Sequence, residues 1–248
     1  MWETCTILKP FDLVTVEISA EKSVTVSKVI VLANGLVGAC QRLAPTVTTQ
    51  PAKDLIKSLT ENLLSRFQNM EENRILARPT FLDPRFKKHG FTSSTALERA
   101  QQDITNEVTR MIDSQQQSAT TTQAEAGTLD NNDDDLIWGD FDRRNTASIS
   151  QATPMATSIM EVKQYLQESN IARRCDPLMW WKSRELVYPH LSKIAKAELC
   201  KVATSVPSER VFSKSEQLIS DRRNRLKASN VQMVMFLNAN IGFQSSHS

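Results

Sequence analysis

Charged residues that could contact phosphates are concentrated between Glu209 and Lys227. This stretch contains six basic and three acidic residues, a local surplus of three positive charges. Such a surplus could neutralise the phosphates of DNA. A solvated turn explains it equally well, because Asp221 directly precedes Arg222 and Arg223 and can pair with them, so both interpretations stay open. The candidate phosphate contacts are Arg210, Arg222, Arg223, Arg225 and Lys227.

Two helices have to position these charges. The first is predicted to begin at Thr204 or Ser205, whose hydroxyl can cap it, with Pro207 in the opening turn. The second is predicted to follow Ser229, and it is apolar on almost every side. Its apolar residues are Val231, Met233, Val234, Met235, Phe236 and Leu237. A helix of this kind must be buried, either in the core of its own chain or against a second molecule.

Three sequence blocks in this region stand out by their order and spacing: 208–213 (SERVFS), 222–226 (RRNRL) and 234–238 (VMFLN). Together they resemble the C-terminal dimerisation region of hAT-superfamily transposases and of the BED zinc-finger proteins derived from them. Blocks at 7–11 (ILKPF), 82–87 (LDPRFK) and 176–181 (DPLMWW) extend the resemblance along nearly the whole chain. The chain is expected to correspond to the C-terminal half of such a protein.

The resemblance implies a place for Glu209 in catalysis. RNase H-like transposases hold two divalent metal ions with three acidic residues, and Glu209 matches the third of them. The other two belong to strands N-terminal to the insertion domain, and the chain is expected to begin after them. The acidic run 133–135 is not assigned to either position. Because a single carboxylate binds Mg²⁺ weakly, no catalysis, no metal site and no cofactor are expected, and Glu209 would instead interact with the helix dipole or with Arg210 or Arg223.

The resemblance also implies the fold and the partners. It implies an all-α chain, in which a helical insertion-type region precedes the C-terminal helices of an RNase H-like core that lacks its sheet. The predicted division is 1–112 for the insertion-type region, 113–157 for a disordered acidic and polar linker, and 158–248 for the dimerisation region. Without a sheet to cover them, the closing helices should form a nuclear homodimer or a heterodimer with a related hAT-like protein. The expected interface residues are Phe212, Leu218, Val234, Met235 and Leu237.

Two further functions remain open. The chain could be the C-terminal part of an active DDE-type DNA transposase whose other acidic residues are encoded elsewhere. It could also be a nuclear DNA-associated protein that uses the basic turn, although this sequence does not contain the Cys and His ligands of a BED finger. No small-molecule substrate is expected, because the sequence has no Gly-rich phosphate loop and no Ser/His/Asp set.

Composition favours a helical protein and excludes several classes. Of 248 residues, 40% are hydrophobic and only six are Gly, which argues against a turn-rich all-β fold. The net charge of +2 is too small to indicate polyanion binding by the whole molecule. Four scattered Cys and three His do not form a zinc-finger pattern. No apolar run of 18 residues was found, so a membrane span is not expected.

Local patterns predict most of the individual elements. Regular apolar spacing predicts one helix over 55–67 and another over 97–112. Residues 11–18 are rich in β-branched residues and alone predict a strand, whereas the resemblance predicts a helix. The block at 176–181 predicts a short helix that also includes Leu186 and Val187. The acidic and aromatic run 136–141 (LIWGDF) could dock on a groove or belong to a mobile loop.

Overall fold

The computed structural model describes residues 2–20, 23–122, 153–206, 208–210, 213 and 228–240. Within this described part no strand occurs, so the predicted all-α fold class is confirmed. Residues 206, 208–210 and 213 are helical but belong to no complete helix. The α-helices are α1 (Trp2–Ile18), α2 (Val29–Leu43), α3 (Gln50–Arg66), α4 (Arg74–Leu82), α5 (Ser94–Thr122), α6 (Pro154–Gln167), α7 (Pro177–Ser183), α8 (Leu191–Leu199) and α9 (Ala228–Asn240).

The N-terminal residues form a helix where their composition alone predicts a strand. Helix α1 includes residues 11–18, and it packs against α2 and α3. Ile7 is fully buried in the core between these helices, and Phe11 and Val14 are partly buried against it. Strand propensity is a weak preference that packing overrides. The helix that the family resemblance implied is therefore correct, and the strand is wrong.

A small core forms where α1, α2 and α3 meet. At the edge of this core, the carboxylate of Glu3 in α1 accepts hydrogen bonds from the backbone N–H groups and the hydroxyls of Thr48 and Thr49, directly before α3. The Thr49 hydroxyl and then the groups of Thr48 lower the pKa of Glu3 to about 2. The buried residues of this core are Ile7, Leu36, Cys40, Val47, Ala52, Ile56 and Leu63.

By length and composition, one helical segment, Val26–Thr46, could cross a membrane. By this criterion, the expectation that the sequence has no such stretch is wrong. In the structure it consists of α2 and a short 3-10 turn at each end. It packs against α1, α3 and α4, and its Lys28 forms an ion pair with Glu17 at 2.6 Å. The core helix of a soluble protein meets the same length and composition criterion.

A larger core joins helices on both sides of the predicted linker, since α5 and α6 pack along each other. Helix α5 continues to Thr122 and α6 begins at Pro154, so helix extends into both ends of the predicted linker, 113–157. The residues after Asp113 include three glutamines, which are good helix formers. Residues 123–152 lie outside the described residues, and the division into domains stays a prediction. The largest buried residues of this core are Phe81, Leu82, Ile104, Tyr165, Trp181, Tyr188, Leu191 and Leu199.

A buried ion pair follows directly after α4. Asp83 is fully buried, and its carboxylate accepts hydrogen bonds from Arg85 Nη2 at 2.6 Å and from Ser27 Oγ at 2.6 Å. The backbone N–H of Arg85 donates to the same carboxylate at 3.0 Å. Burying an ion pair is favourable only when the remaining hydrogen-bonding groups find partners. Here Ser27 supplies such a partner from the turn that precedes α2, and so ties α2 to α4.

Lys87 joins this segment to α6. Its side chain is buried, and its Nζ donates to the carbonyl oxygens of Tyr165 at 2.7 Å and Glu168 at 2.8 Å, at the C-terminal end of α6. A cation at this end satisfies carbonyls that have no partner within the helix. Burial lowers the pKa of Lys87 to about 8, although the negative charge of Glu168 acts in the opposite direction.

Removing the buried carboxylate should be far more damaging than removing an exposed one. Asp83→Ala leaves Arg85 buried without its charge partner, so the free energy of unfolding should fall by about 3–5 kcal/mol. Asp103 is the matched control, because it pairs with a largely exposed Arg74 at 2.7 Å, and Asp103→Ala should cost less than about 1 kcal/mol. Urea unfolding of both variants measures the difference. Equal losses would contradict the structural role of Asp83.

The buried Lys87 ammonium should make stability depend on pH. Its folded pKa of about 8 lies below its ordinary value of 10.5, so the unfolded chain binds more protons between these pH values. The free energy of unfolding should therefore rise with pH across this window, by at most roughly 3 kcal/mol. The neutral amine keeps two N–H donors for the two carbonyls. In Lys87→Met this contribution should be absent, whereas Lys88→Met, at an exposed neighbour, should behave like the parent in urea unfolding at each pH.

Candidate dimerisation surface

An aromatic cluster supports the helices that precede α9. Trp181 is fully buried, and its ring centroid lies 5.0 Å from that of Tyr165 and 4.9 Å from that of Trp180. The polar atoms have partners, since Tyr165 Oη donates to the Phe81 carbonyl at 3.0 Å and Trp181 Nε1 donates to the Leu82 carbonyl at 2.9 Å. Trp181 therefore belongs to the core and Trp180 packs against it, so both indole rings are used for packing.

Glu161 of α6 fixes the start of α8. Its Oε1 accepts hydrogen bonds from the backbone N–H groups of His190 at 3.0 Å and Leu191 at 2.9 Å. Its Oε2 lies 2.9 Å from His190 Nδ1. A carboxylate at a helix N-terminus satisfies free N–H groups and interacts favourably with the helix dipole. His190 is therefore held in a structural arrangement.

The short helix α7 ends earlier than predicted. Its last residue is Ser183, so Leu186 and Val187 lie in the loop that leads to α8, and not in the helix. Leu186 is 97% exposed and Val187 is about half exposed. Backbone hydrogen bonds from Val187 and Tyr188 to the Arg184 carbonyl, at 3.0 and 2.9 Å, shape the loop. Tyr188, which is fully buried, anchors the loop to the core.

Glu209 lies at the start of the helical stretch after Ser205. It is exposed, its backbone N–H donates to the Ser205 carbonyl at 2.9 Å, and its Oε1 accepts a hydrogen bond from Ser205 Oγ at 2.6 Å. The neighbouring Arg210 is 3.4 Å from the Ser19 carbonyl through Nη1. Among the residues that the structure describes, no group of three His, Cys, Asp or Glu side chains is arranged to hold a metal ion.

Several of the predicted site residues lie outside the described residues. They include two of the five expected interface residues and four of the five candidate phosphate contacts. Arg210 is the one candidate phosphate contact within the described residues, so the structure does not show whether the basic residues lie together. Both the interface and the phosphate contacts stay predictions. The residues concerned are Phe212, Leu218, Arg222, Arg223, Arg225 and Lys227.

Helix α9 presents an open apolar face. With 100° of rotation per residue, Met233, Val234, Phe236 and Leu237 fall within about half of its circumference, and these four side chains are between 43% and 68% exposed. Val231 and Met235 lie on the opposite side and are only half-buried. Two of the predicted interface residues, Val234 and Leu237, thus share the open face, whereas Met235 points away from it. The helical spacing could have added Met233 and Phe236 to the prediction.

This region is similar to a known protein family. Residues 161–241 match the model of the hAT family C-terminal dimerisation region. Over 97% of its length the chain is 28% identical to human zinc finger BED domain-containing protein 4, of which it covers 20%, and 25% identical to human zinc finger BED domain-containing protein 6, of which it covers 27%.

A plant protein is also similar. The zinc finger BED domain-containing protein RICESLEEPER 3 of Oryza sativa subsp. japonica is 28% identical over 64% of the chain, which covers 23% of that protein. The chain thus spans about a fifth to a quarter of the length of these relatives, less than the half expected from the sequence. Residues 161–241, from α6 through α9, match the hAT C-terminal dimerisation region, in a chain that is similar to BED zinc-finger proteins along nearly its whole length.

Proposed function

We propose that this hAT-derived chain acts as a protein dimerisation module. The observation that carries the proposal is the open apolar face of α9, which lies inside the matched dimerisation region. Burying a Val, Leu, Phe or Met side chain contributes about 1.5–3 kcal/mol relative to leaving it exposed. A folded chain that leaves four such side chains together on one helix face gains most by covering them with another protein surface.

The chemistry of α9 favours a second copy or a closely related chain as the partner. Residues 228–240 (ASNVQMVMFLNAN) contain no charged side chain. Two copies of this face can therefore meet across a two-fold axis without placing like charges against each other, as an isologous interface requires. The same argument applies to a heterodimer with a related hAT-like protein. The resemblance to BED zinc-finger proteins supports a nuclear location for the complex.

We propose no metal-dependent catalytic role for Glu209. Its carboxylate is hydrogen-bonded to Ser205, and the described residues bring no group of metal-binding side chains around it. Mg²⁺ prefers a site with several oxygen ligands from protein or phosphate, so a single exposed carboxylate is a poor site. Its place in the first turn fits a stabilising interaction with the helix dipole.

Charge placed on the open face of α9 should dissociate the complex. Leu237→Asp and Met233→Asp should each weaken association by roughly 2–4 kcal/mol, about 30- to 700-fold in Kd, because a carboxylate would lose its water in the interface. Sedimentation equilibrium over a concentration series measures this, with circular dichroism to verify that helix content is kept. Leu64→Asp, on a similarly exposed leucine of α3, is the matched control and should associate like the parent. A parent chain that stays monomeric at high concentration would sink the proposal.

Magnesium should not bind at Glu209. Titration calorimetry of MgCl₂ into the chain should show no saturable binding in the parent or in Glu209→Gln, because one carboxylate supplies too few ligands. Saturable binding in the parent that disappears in Glu209→Gln would contradict the non-catalytic assignment. The second variant makes the result specific to this side chain, since weak binding elsewhere would survive the substitution.

A further inference from the structure

A second apolar surface lies on α7 and on the loop between α7 and α8. Its apolar members are Leu178, Met179, Leu186 and Val187, all of them exposed, and among the described large apolar side chains Leu186 is the most exposed. The loop is not loosely attached, because Tyr188 is buried and its hydroxyl donates to Glu168 at 2.6 Å. The α7–α8 surface, defined by these four residues, is therefore presented on a well-anchored framework.

Three lysines border the α7–α8 surface. Lys196 Nζ pairs with Glu185 Oε1 at 2.9 Å, and Lys193 and Lys182 lie close enough to act on the same carboxylate. The hydrogen bond from Lys196 and the charges of all three lysines lower the pKa of Glu185. All three lysines are exposed. Three positive charges around one negative charge leave the surface with a net charge of +2.

These charges decide between kinds of partner. A second copy bound across a two-fold axis would place this cationic rim against itself, and like charges brought together in an interface cost several kcal/mol. A favourable partner must supply negative charge for the lysines and apolar side chains for Leu186, Val187 and Met179. It must therefore be an acidic segment with large hydrophobic residues.

The chain itself contains a segment of this composition. Residues 133–141 (DDDLIWGDF) hold four aspartates and no basic residue, together with Leu136, Ile137, Trp138 and Phe141. We propose that this segment, which lies outside the described residues, docks on the α7–α8 surface of the same chain. The aspartates then face the three lysines, and the leucine, isoleucine and aromatic side chains cover Leu186 and its neighbours.

Another cationic surface of the molecule fits the segment less well. Lys88, Arg173 and Arg174 are exposed where two loops meet, held together by the hydrogen bond from the Ile171 N–H to the Pro84 carbonyl at 3.1 Å. Within the described residues none of these three cations forms an ion pair with a carboxylate. Phe86 and Ile171, the large apolar side chains of these two loops, are partly buried, so the hydrophobic part of residues 133–141 would find less to cover there than on the α7–α8 surface. This surface provides the matched control.

The tether is long enough for docking within one chain. Residues 142–153 separate the segment from the start of α6, and 12 residues span at most about 40 Å when extended. Helix α6 has 14 residues and is therefore about 21 Å long. Trp181 of α7 packs against Tyr165 of α6, with ring centroids 5.0 Å apart, so α7 lies within the span of such a tether. A short tether gives a local concentration in the millimolar range. Even a weak contact would then be populated.

Fluorine NMR of the full chain tests the contact. Labelling with 5-fluorotryptophan gives one signal for each of four tryptophans, and loss of a signal in Trp138→Phe assigns Trp138. At low ionic strength, where screening is weak, the Trp138 signal of the parent should be displaced from its position in a free peptide of residues 130–144. In Lys182→Glu/Lys193→Glu/Lys196→Glu it should move to the free-peptide position, whereas Lys88→Glu/Arg173→Glu/Arg174→Glu should leave it displaced.

A second variant tests the contact from the side of the acidic segment. If the lysine variant loses helix content, Asp133→Asn/Asp134→Asn/Asp135→Asn removes the complementary charge from the other side and should release Trp138 in the same way. A parent signal already at the free-peptide position overturns the proposal, and so does a displacement that only the control variant abolishes. A displacement that vanishes on dilution would place the segment on a second copy and overturn docking within one chain. Leu237→Asp should leave the Trp138 signal unchanged, which separates this contact from dimerisation through α9.

Discussion

The buried ion pair between Asp83 and Arg85 is the interaction on which the described structure most depends. Two opposite charges removed from water stabilise a fold only if their geometry is close and their other polar atoms have partners. Here Arg85 binds the carboxylate through its side chain and its backbone, and Ser27 supplies a further donor from the turn before α2. The pair therefore fixes the chain at the end of α4, close to the turn before α2 and to the C-terminal end of α6.

From that point the contacts run into the region that matches the hAT dimerisation model. The carbonyls of Phe81 and Leu82 receive hydrogen bonds from Tyr165 and Trp181, and Lys87 caps the last turn of α6. The backbone of one short segment is thus bonded to side chains more than 80 residues later. The family model begins at residue 161, but the core that supports α6 to α8 begins with α4 and α5. These helices cannot be understood as an isolated C-terminal module.

The sequence predicted best where one physical signal dominated. Apolar spacing placed α3 and α5, because each helix buries one regular stripe. Composition failed for residues 11–18, where weak strand propensity opposed packing. The predicted short helix at 176–181 was extended too far, because Leu186 and Val187 lie in the loop that Tyr188 anchors. No feature of the sequence predicted the burial of Lys87. A lysine is expected at the surface, and only the three-dimensional meeting of its ammonium with the free carbonyls of α6 explains its burial.

Within the candidate site, the sequence identified α9 as a helix without a polar side but could not orient it. An evenly apolar helix has no preferred face by composition. Helical spacing places Met235 opposite Val234 and Leu237, but only the structure shows that the side with Val234 and Leu237 is the open one. The same region carries two exposed apolar surfaces with opposite electrostatics. The face of α9 is uncharged and compatible with a copy of itself, whereas the lysines around Leu186 oppose self-association. Electrostatic complementarity mainly decides which partners a surface excludes. The open face of α9 and the α7–α8 surface therefore select different partners, and both can be occupied at once.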